Sequence, residues 1–451
     1  MRIEKDSMGE IEVEESAYWG AQTQRSLGNF PKDVETMPQS LIYAIASIKK
    51  AAAIVNNEEG KLADNKKDLI VYAADRILAG DFDDQFPLTI WQTGSGTQTN
   101  MNVNEVIAHI ANEKAGETII HPNDDVNMSQ SSNDVFPTAM HIASYLNISN
   151  KLLPEIEKTI TTLGSLEKQN DMIKTGRTHL QDATPVRLSQ EISAWKVALE
   201  RDYANIEETS KKLRILAIGG TAVGTGINAS DKFGEHMAKV LSNELGTTFK
   251  ADDNKFYELS LKSALVNSHG TIKALATNLY KIASDIRFLS CGPRCGINEL
   301  NIPANEPGSS IMPGKVNPTQ IESMTMVCIQ VMANDMAISM GNSQGQLQLN
   351  AYMPLMIYNM DQSVTLLAKS LACFRTNLLE GMTANHENIE KNLANSLMLV
   401  TALSPHIGYD KASEIAKYAY ENGITLKEAS EKLDYLTAEE FDKYVRPENM
   451  A

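Results

Sequence analysis

Apolar residues recur along this chain with two periods, and the helical one dominates. Between Ile3 and Val13 polar and apolar positions alternate around Ser7-Met8-Gly9, which predicts a small hairpin or extended arm. Helical spacing then predicts helices over Gln39–Asn57 and Asn65–Ala79. From Val135 to Leu289 the pattern reads as long helices throughout. Leu265, Ile272, Leu279 and Ile286 repeat every seven residues, with Leu275, Ile282 and Leu289 on a parallel track, so this helix needs near-parallel or antiparallel neighbours. Ile192, Trp195, Leu199, Tyr203 and Ile206 carry the same spacing after Pro185, and Phe136–Leu166 supplies another helix, bent or broken near Pro154. Thr319–Met340 is apolar on nearly all sides (Ile321, Met324, Val327, Val331, Met332, Met336, Ile338), and Leu355–Leu379 is the fifth long helix.

Five such helices predict a mainly α protein built on a long-helix bundle. A helix that is apolar all round should be buried and needs neighbours on every side. One five-helix layer supplies these only partly, so self-association through the bundle is expected. Past Ala384 the helices shorten to Glu387–Val400, Lys411–Asn422 and Leu426–Leu433. The expected division is a mixed, mainly helical domain over 1–128, the bundle over 129–386 and a small helical domain over 387–451.

Composition narrows the partners. Across 451 residues the hydrophobic share is 42% and the formal charge is −16, which argues against nucleic acid or an anionic membrane as partner. An acidic substrate would then need a local positive site. Cys291, Cys295, Cys328 and Cys373 show no disulfide or metal framework, and Pro293 separates the closest two. With no signal-like start and no apolar run long enough for a bilayer, a soluble, cytoplasmic protein is expected.

Candidate chemistry sits in polar stretches between the helices. Pro307-Gly308-Ser309-Ser310-Ile311-Met312-Pro313-Gly314-Lys315-Val316-Asn317-Pro318 cannot be a regular helix, because three prolines lack amide donors and restrict the residues before them. It offers two hydroxyls, an amine and a carboxamide beside a helix start, a fitting set for a small anion. A Pro/Gly-rich loop is more often a plain surface connection; the density of polar groups argues for an active-site loop here. Two further polar clusters are Trp91–Asn100, with Ser95, Gly96 and Thr97, and His121–Asn127, which runs on into Ser129–Asp134. The Gly-x-Gly within the first is weak evidence for phosphate binding. Gly176–Pro185 is a turn-like polar segment holding His179. A lone histidine is usually structural, but this one lies in polar surroundings that flank a helix.

Gly308–Asn317 follows the pattern G-S-S-x-M-P-x-K-x-N at every specified position and resembles the signature of the fumarase/aspartase superfamily. Thr93–Asn100, His121–Asn127, Ser129–Asp134, Gly176–Pro185, Gly219–Gly226 and Asn395–Lys411 resemble class II fumarate hydratases, and the likeness runs from Lys5 to Met450. Gly314 favours these over aspartate ammonia-lyases, which tend to have Ala there. The resemblance implies reversible hydration of fumarate to (S)-malate without metal or organic cofactor. It implies Ser309 as the base for the C3 proton, and His179, oriented by Glu322, as the group that handles water. Lys315, Val316 and Asn317 would hold a carboxylate, with Ser95, Gly96, Thr97, Ser131, Ser132, Asn133 and Thr178 completing the pocket. His121, Pro122, Asn123 and Asp124 resemble a second anion site, although Met128 replaces an expected basic residue. A homotetramer with a twenty-helix core is also implied, each site drawing on three subunits. The rivals are an ammonia-lyase acting on aspartate, a silent scaffold that would have lost Ser309, His179 or Lys315, and an iron–sulfur hydratase that the cysteine spacing argues against.

Overall fold

The computed structural model describes all 451 residues and is mainly α-helical. The chain opens with the antiparallel strands β1 (Arg2–Asp6) and β2 (Gly9–Val13), the arm that the alternation predicts. Then follow α1 (Ala21–Asn29), α2 (Gln39–Glu58), α3 (Asp64–Leu78), α4 (Thr97–Ala115), α5 (Ser132–Asn147) and α6 (Leu153–Gln169). Strands β3 (Ile173–Thr178) and β4 (Gln181–Arg187) form a hairpin before α7 (Leu188–Ser210). Two-residue β5 (Ile215–Leu216) pairs in parallel with β6 (Lys250–Ala251) across α8 (Phe233–Leu245), and α9 (Lys255–Ser260) leads to α10 (Ser263–Leu289). After β7 (Leu300–Asn301) come α11 (Thr319–Ser343) and α12 (Met353–Asn377), then β8 (Thr383–Ala384), antiparallel to β7. The chain ends in α13 (His386–Asn395), α14 (Ser404–Ile407), α15 (Tyr409–Asn422), α16 (Leu426–Lys432) and α17 (Ala438–Tyr444).

The chain divides into two compact units. One comprises Met1–Pro154, Asp202–Ala276 and Cys328–Ala368; the other comprises Glu155–Arg201, Thr277–Val327 and Lys369–Ala451. The heptad residues of α10 are all buried, Leu265 through Leu289. In the second unit α15, α16 and α17 close a small core around Leu403, Ile415, Ala429 and Phe441.

Two expectations are corrected and two are sharpened. The stretch from Val135 to Leu289 is not helical throughout, because β3–β4 interrupts it with β-branched Ile173, Thr175, Thr178, Thr184 and Val186. Gly176 is needed there: a Cβ would lie 2.4 Å from the Thr184 carbonyl oxygen. The bend near Pro154 is a wide helical turn over Ile148–Leu152, after which α6 starts with its proline in the first turn, where no amide is missed. The polar stretch at 91–100 becomes helix from Thr97; buried Asn100, Asn102 and Asn104 mask the apolar period of α4. The helix α11, expected to find only part of its neighbours within one chain, buries one face there. Ile321, Met324, Cys328, Val331 and Ile338 are buried, while Met326, Ile329, Met336 and Met340 are 65%, 56%, 64% and 58% exposed.

Candidate active site

In the first unit two helices begin side by side. α4 starts at Thr97 and α5 at Ser132, and the Thr97 and Ser132 hydroxyls lie 2.8 Å apart. Ser95 extends this chain of hydroxyls, 2.9 Å from Thr97. Each helix start presents unpaired amides and a partial positive charge, so their pairing suits an anion. Gly96 precedes α4 with φ +71°, and a Cβ there would lie 2.1 Å from the Phe136 ring, so the approach of the two helices requires glycine. Ser131 caps α5: its oxygen accepts from the Asn133 amide at 3.2 Å, while its own amide donates to Asp134 at 2.9 Å. The Asn133 side chain donates to the Ala222 carbonyl at 2.7 Å.

A cavity of about 570 Å³ brings Thr97, Ser131, Ser132 and Asn123 together with Asn100, Asn127 and Gln130. The Asn100 Oδ1 is buried without a hydrogen-bond donor. Asp134 is wholly buried, and its second oxygen accepts from the Gly219 and Thr221 amides at 3.0 and 2.9 Å. Burial pushes its carboxyl above the ordinary value, against these amides and Lys49. The four residues of the expected second anion site divide: His121 and Pro122 line a different cavity, of about 670 Å³, beside Arg2 and His109, while Asn123 faces the hydroxyl pocket. The His121 ring accepts the Asp124 amide at 3.1 Å.

In the second unit Ser309 sits in an exposed loop directly before α11. Its Oγ accepts two backbone N–H groups, from Ile311 at 3.2 Å and Met312 at 3.0 Å. The Gly308 amide donates to the Lys315 carbonyl at 2.8 Å, and the Asn317 side chain donates to the Gly308 carbonyl at 2.6 Å, so the loop is folded back on itself. A Cβ on Gly308 would lie 2.5 Å from the Lys315 oxygen. Ser309, Lys315 and Val316 line a cavity of about 490 Å³.

Thr178 and His179 lie at the exposed tip of the β3–β4 hairpin, where His179 and Leu180 take φ of +55° and +59°. That is the left-handed pair a two-residue hairpin turn requires. His179 makes no hydrogen bond within the chain, and Glu322 lies instead 3.8 Å from Arg287. The hairpin is anchored beneath. Buried Glu299 accepts a bidentate pair from Arg177 at 2.7 and 3.1 Å, lies 3.1 Å from Lys174, and accepts from Asn392 of α13 at 3.1 Å. Sequence reasoning did not single out Lys49, Arg177 or Glu299. The available signal for Lys49 was a charge on the apolar stripe of α2.

The description "Lyase" matches residues 9–333, and "Fumarase C C-terminus" matches residues 399–451. The chain is 55% identical over 452 residues to fumarate hydratase class II of Listeria monocytogenes, covering 100% of this chain and 99% of that one. It is 53% identical over 455 residues to the protein of the same name from Staphylococcus epidermidis, with the same coverage. Among solved structures, recombinant class II fumarase from Schistosoma mansoni superposes with a TM-score of 0.96 at 42% identity, covering 100% of this chain and 99% of that one. A fumarate lyase:delta crystallin from Brucella melitensis in native form gives 0.91 at 40% identity, covering 99% and 100%.

Proposed function

We propose, from the premise that this chain belongs to the class II fumarate hydratase family and has its mainly α lyase fold, that it is a hydro-lyase interconverting fumarate and (S)-malate. The observation that carries the mechanism is the pair of amides on Ser309. A proton next to a carboxylate is too weakly acidic for an ordinary serine to remove. Two N–H groups aimed at Oγ stabilise its alkoxide and make it a stronger base at the pH where it works.

In the direction of dehydration, Ser309 takes the C3 proton of malate, and its electron pair moves into the adjacent carboxylate as an aci-carboxylate. Lys315 and Asn317, at the C-terminal end of the folded loop with Val316 between them, bind the charge that develops. The C2–OH bond then breaks as His179 supplies a proton, releasing water and leaving fumarate; hydration reverses each step. Glu322 orients His179. Ser95, Gly96, Thr97, Ser131, Ser132, Asn133 and Thr178 hold the rest of the substrate, and His121, Pro122, Asn123 and Asp124 form a second anion site.

No hydrogen bond joins His179 to Glu322 within one chain, and α11 exposes an apolar face. Both features support a homotetramer whose sites draw on three subunits. The domain divisions after residues 128 and 386 and a cytoplasmic location complete the reading; no helix is long and apolar enough to cross a membrane.

The test is direct. Purified protein given fumarate should form malate, and given aspartate should release no ammonia. Ammonia without malate would assign it to the neighbouring chemistry.

A further inference from the structure

Lys49 lies midway along α2, and its side chain is wholly buried. A buried ammonium persists only when paired, because an isolated charge removed from water is expensive. Its nitrogen donates to Asn127 Oδ1 at 2.8 Å and to Gln130 Oε1 at 3.0 Å. Both acceptors line the cavity of Thr97, Ser131 and Ser132, and the Asn127 oxygen also accepts from Asn100 and Asn104 at 3.2 Å. Neither acceptor is charged. Asp134, next in sequence to Asn133 and in the first turn of α5, partly counters the effect of burial on the Lys49 ammonium.

Three amides donate to the two Asp134 oxygens, the arrangement of an ionised carboxylate. A negative charge at that helix start works against the binding of a dianion there. We propose that Lys49 is a positioning and specificity residue: its ammonium, held on Asn127 and Gln130, fixes both side chains and sets a positive charge behind the Thr97–Ser131–Ser132 pocket, so that the pocket accepts a doubly charged dicarboxylate. Burial draws the ammonium down to about 7, and Asp134 opposes that fall. The inference rests on reading this pocket as a substrate carboxylate site.

The test uses the full-length enzyme with Lys49→Gln, which keeps a donor without the charge, and Lys49→Met, which removes both. Melting temperatures are measured alongside, and Ser132→Ala serves as a separate check of the pocket. Both Lys49 variants should raise KM for fumarate about tenfold while kcat stays within about threefold. Inhibition by succinate should weaken more than inhibition by its monoamide. An unchanged KM in a folded Lys49→Gln enzyme overturns the proposal, as does a fall in kcat at constant KM. Failure of both variants to fold assigns Lys49 to stability alone and overturns it too. If Ser132→Ala leaves KM unchanged, the pocket reading itself fails; if it raises KM while Lys49→Gln does not, only the role of Lys49 falls.

Discussion

At the scale of single residues, the loop around Ser309 turns an ordinary hydroxyl into a candidate base through main-chain geometry. Ser309→Ala removes only the oxygen that Ile311 and Met312 donate to, so the helices should persist while turnover falls at least 10²–10⁴-fold, read from initial rates of malate formation. His179→Asn is the cleanest test of the imidazole. Asparagine tolerates positive φ, so the hairpin tip should survive while kcat falls by a similar factor and the circular dichroism spectrum stays unchanged. This scale was the most legible in the sequence. Gly308, Ser309, Lys315 and Asn317 stand at fixed spacings in a proline-punctuated loop. Lys49 was not legible with its partners: 78 positions separate it from Asn127, and only folding joins them.

Among the elements, the long helices were visible because packing imposes a seven-residue period on α10 and a 3–4 period on α7. The β3–β4 hairpin was hidden. Its strands are six and seven residues long, contain Gly176 and Pro185, and bury polar Lys174 and Thr175. What holds it is Glu299, distant in sequence and joined to Arg177 and Lys174. Glu299→Gln takes the bidentate carboxylate from Arg177 and leaves Lys174 with Glu191 alone, 2.9 Å away, and should cost about 3 kcal/mol, measured by denaturant unfolding.

The pH dependence of this anchor has a definite sign. Burial raises the Glu299 carboxyl, but the Arg177 hydrogen bond together with the Lys174 and Arg177 charges holds it below its ordinary value of 4.5. Its stabilisation is therefore full above that value and lost as pH falls through the lower folded value. Wild-type protein should lose part of its unfolding free energy in that acid range, and Glu299→Gln should lose correspondingly less.

For the whole molecule, α11 carries the argument. Its near-uniform apolar character was plain in the sequence, and within one chain one of its faces stays exposed. Four large side chains on that face are the surface the proposed assembly would cover. Met336→Lys should lower the mass measured by sedimentation and reduce activity with it. The proposed assembly would let Ser309 and His179 of different copies meet. The most direct measurement mixes Ser309→Ala and His179→Asn subunits by mild unfolding and joint refolding. If each site takes Ser309 and His179 from different copies, the inactive parents should yield a mixture with about a quarter of wild-type activity. A mixture as inactive as its parents, or either parent active alone, would contradict the account.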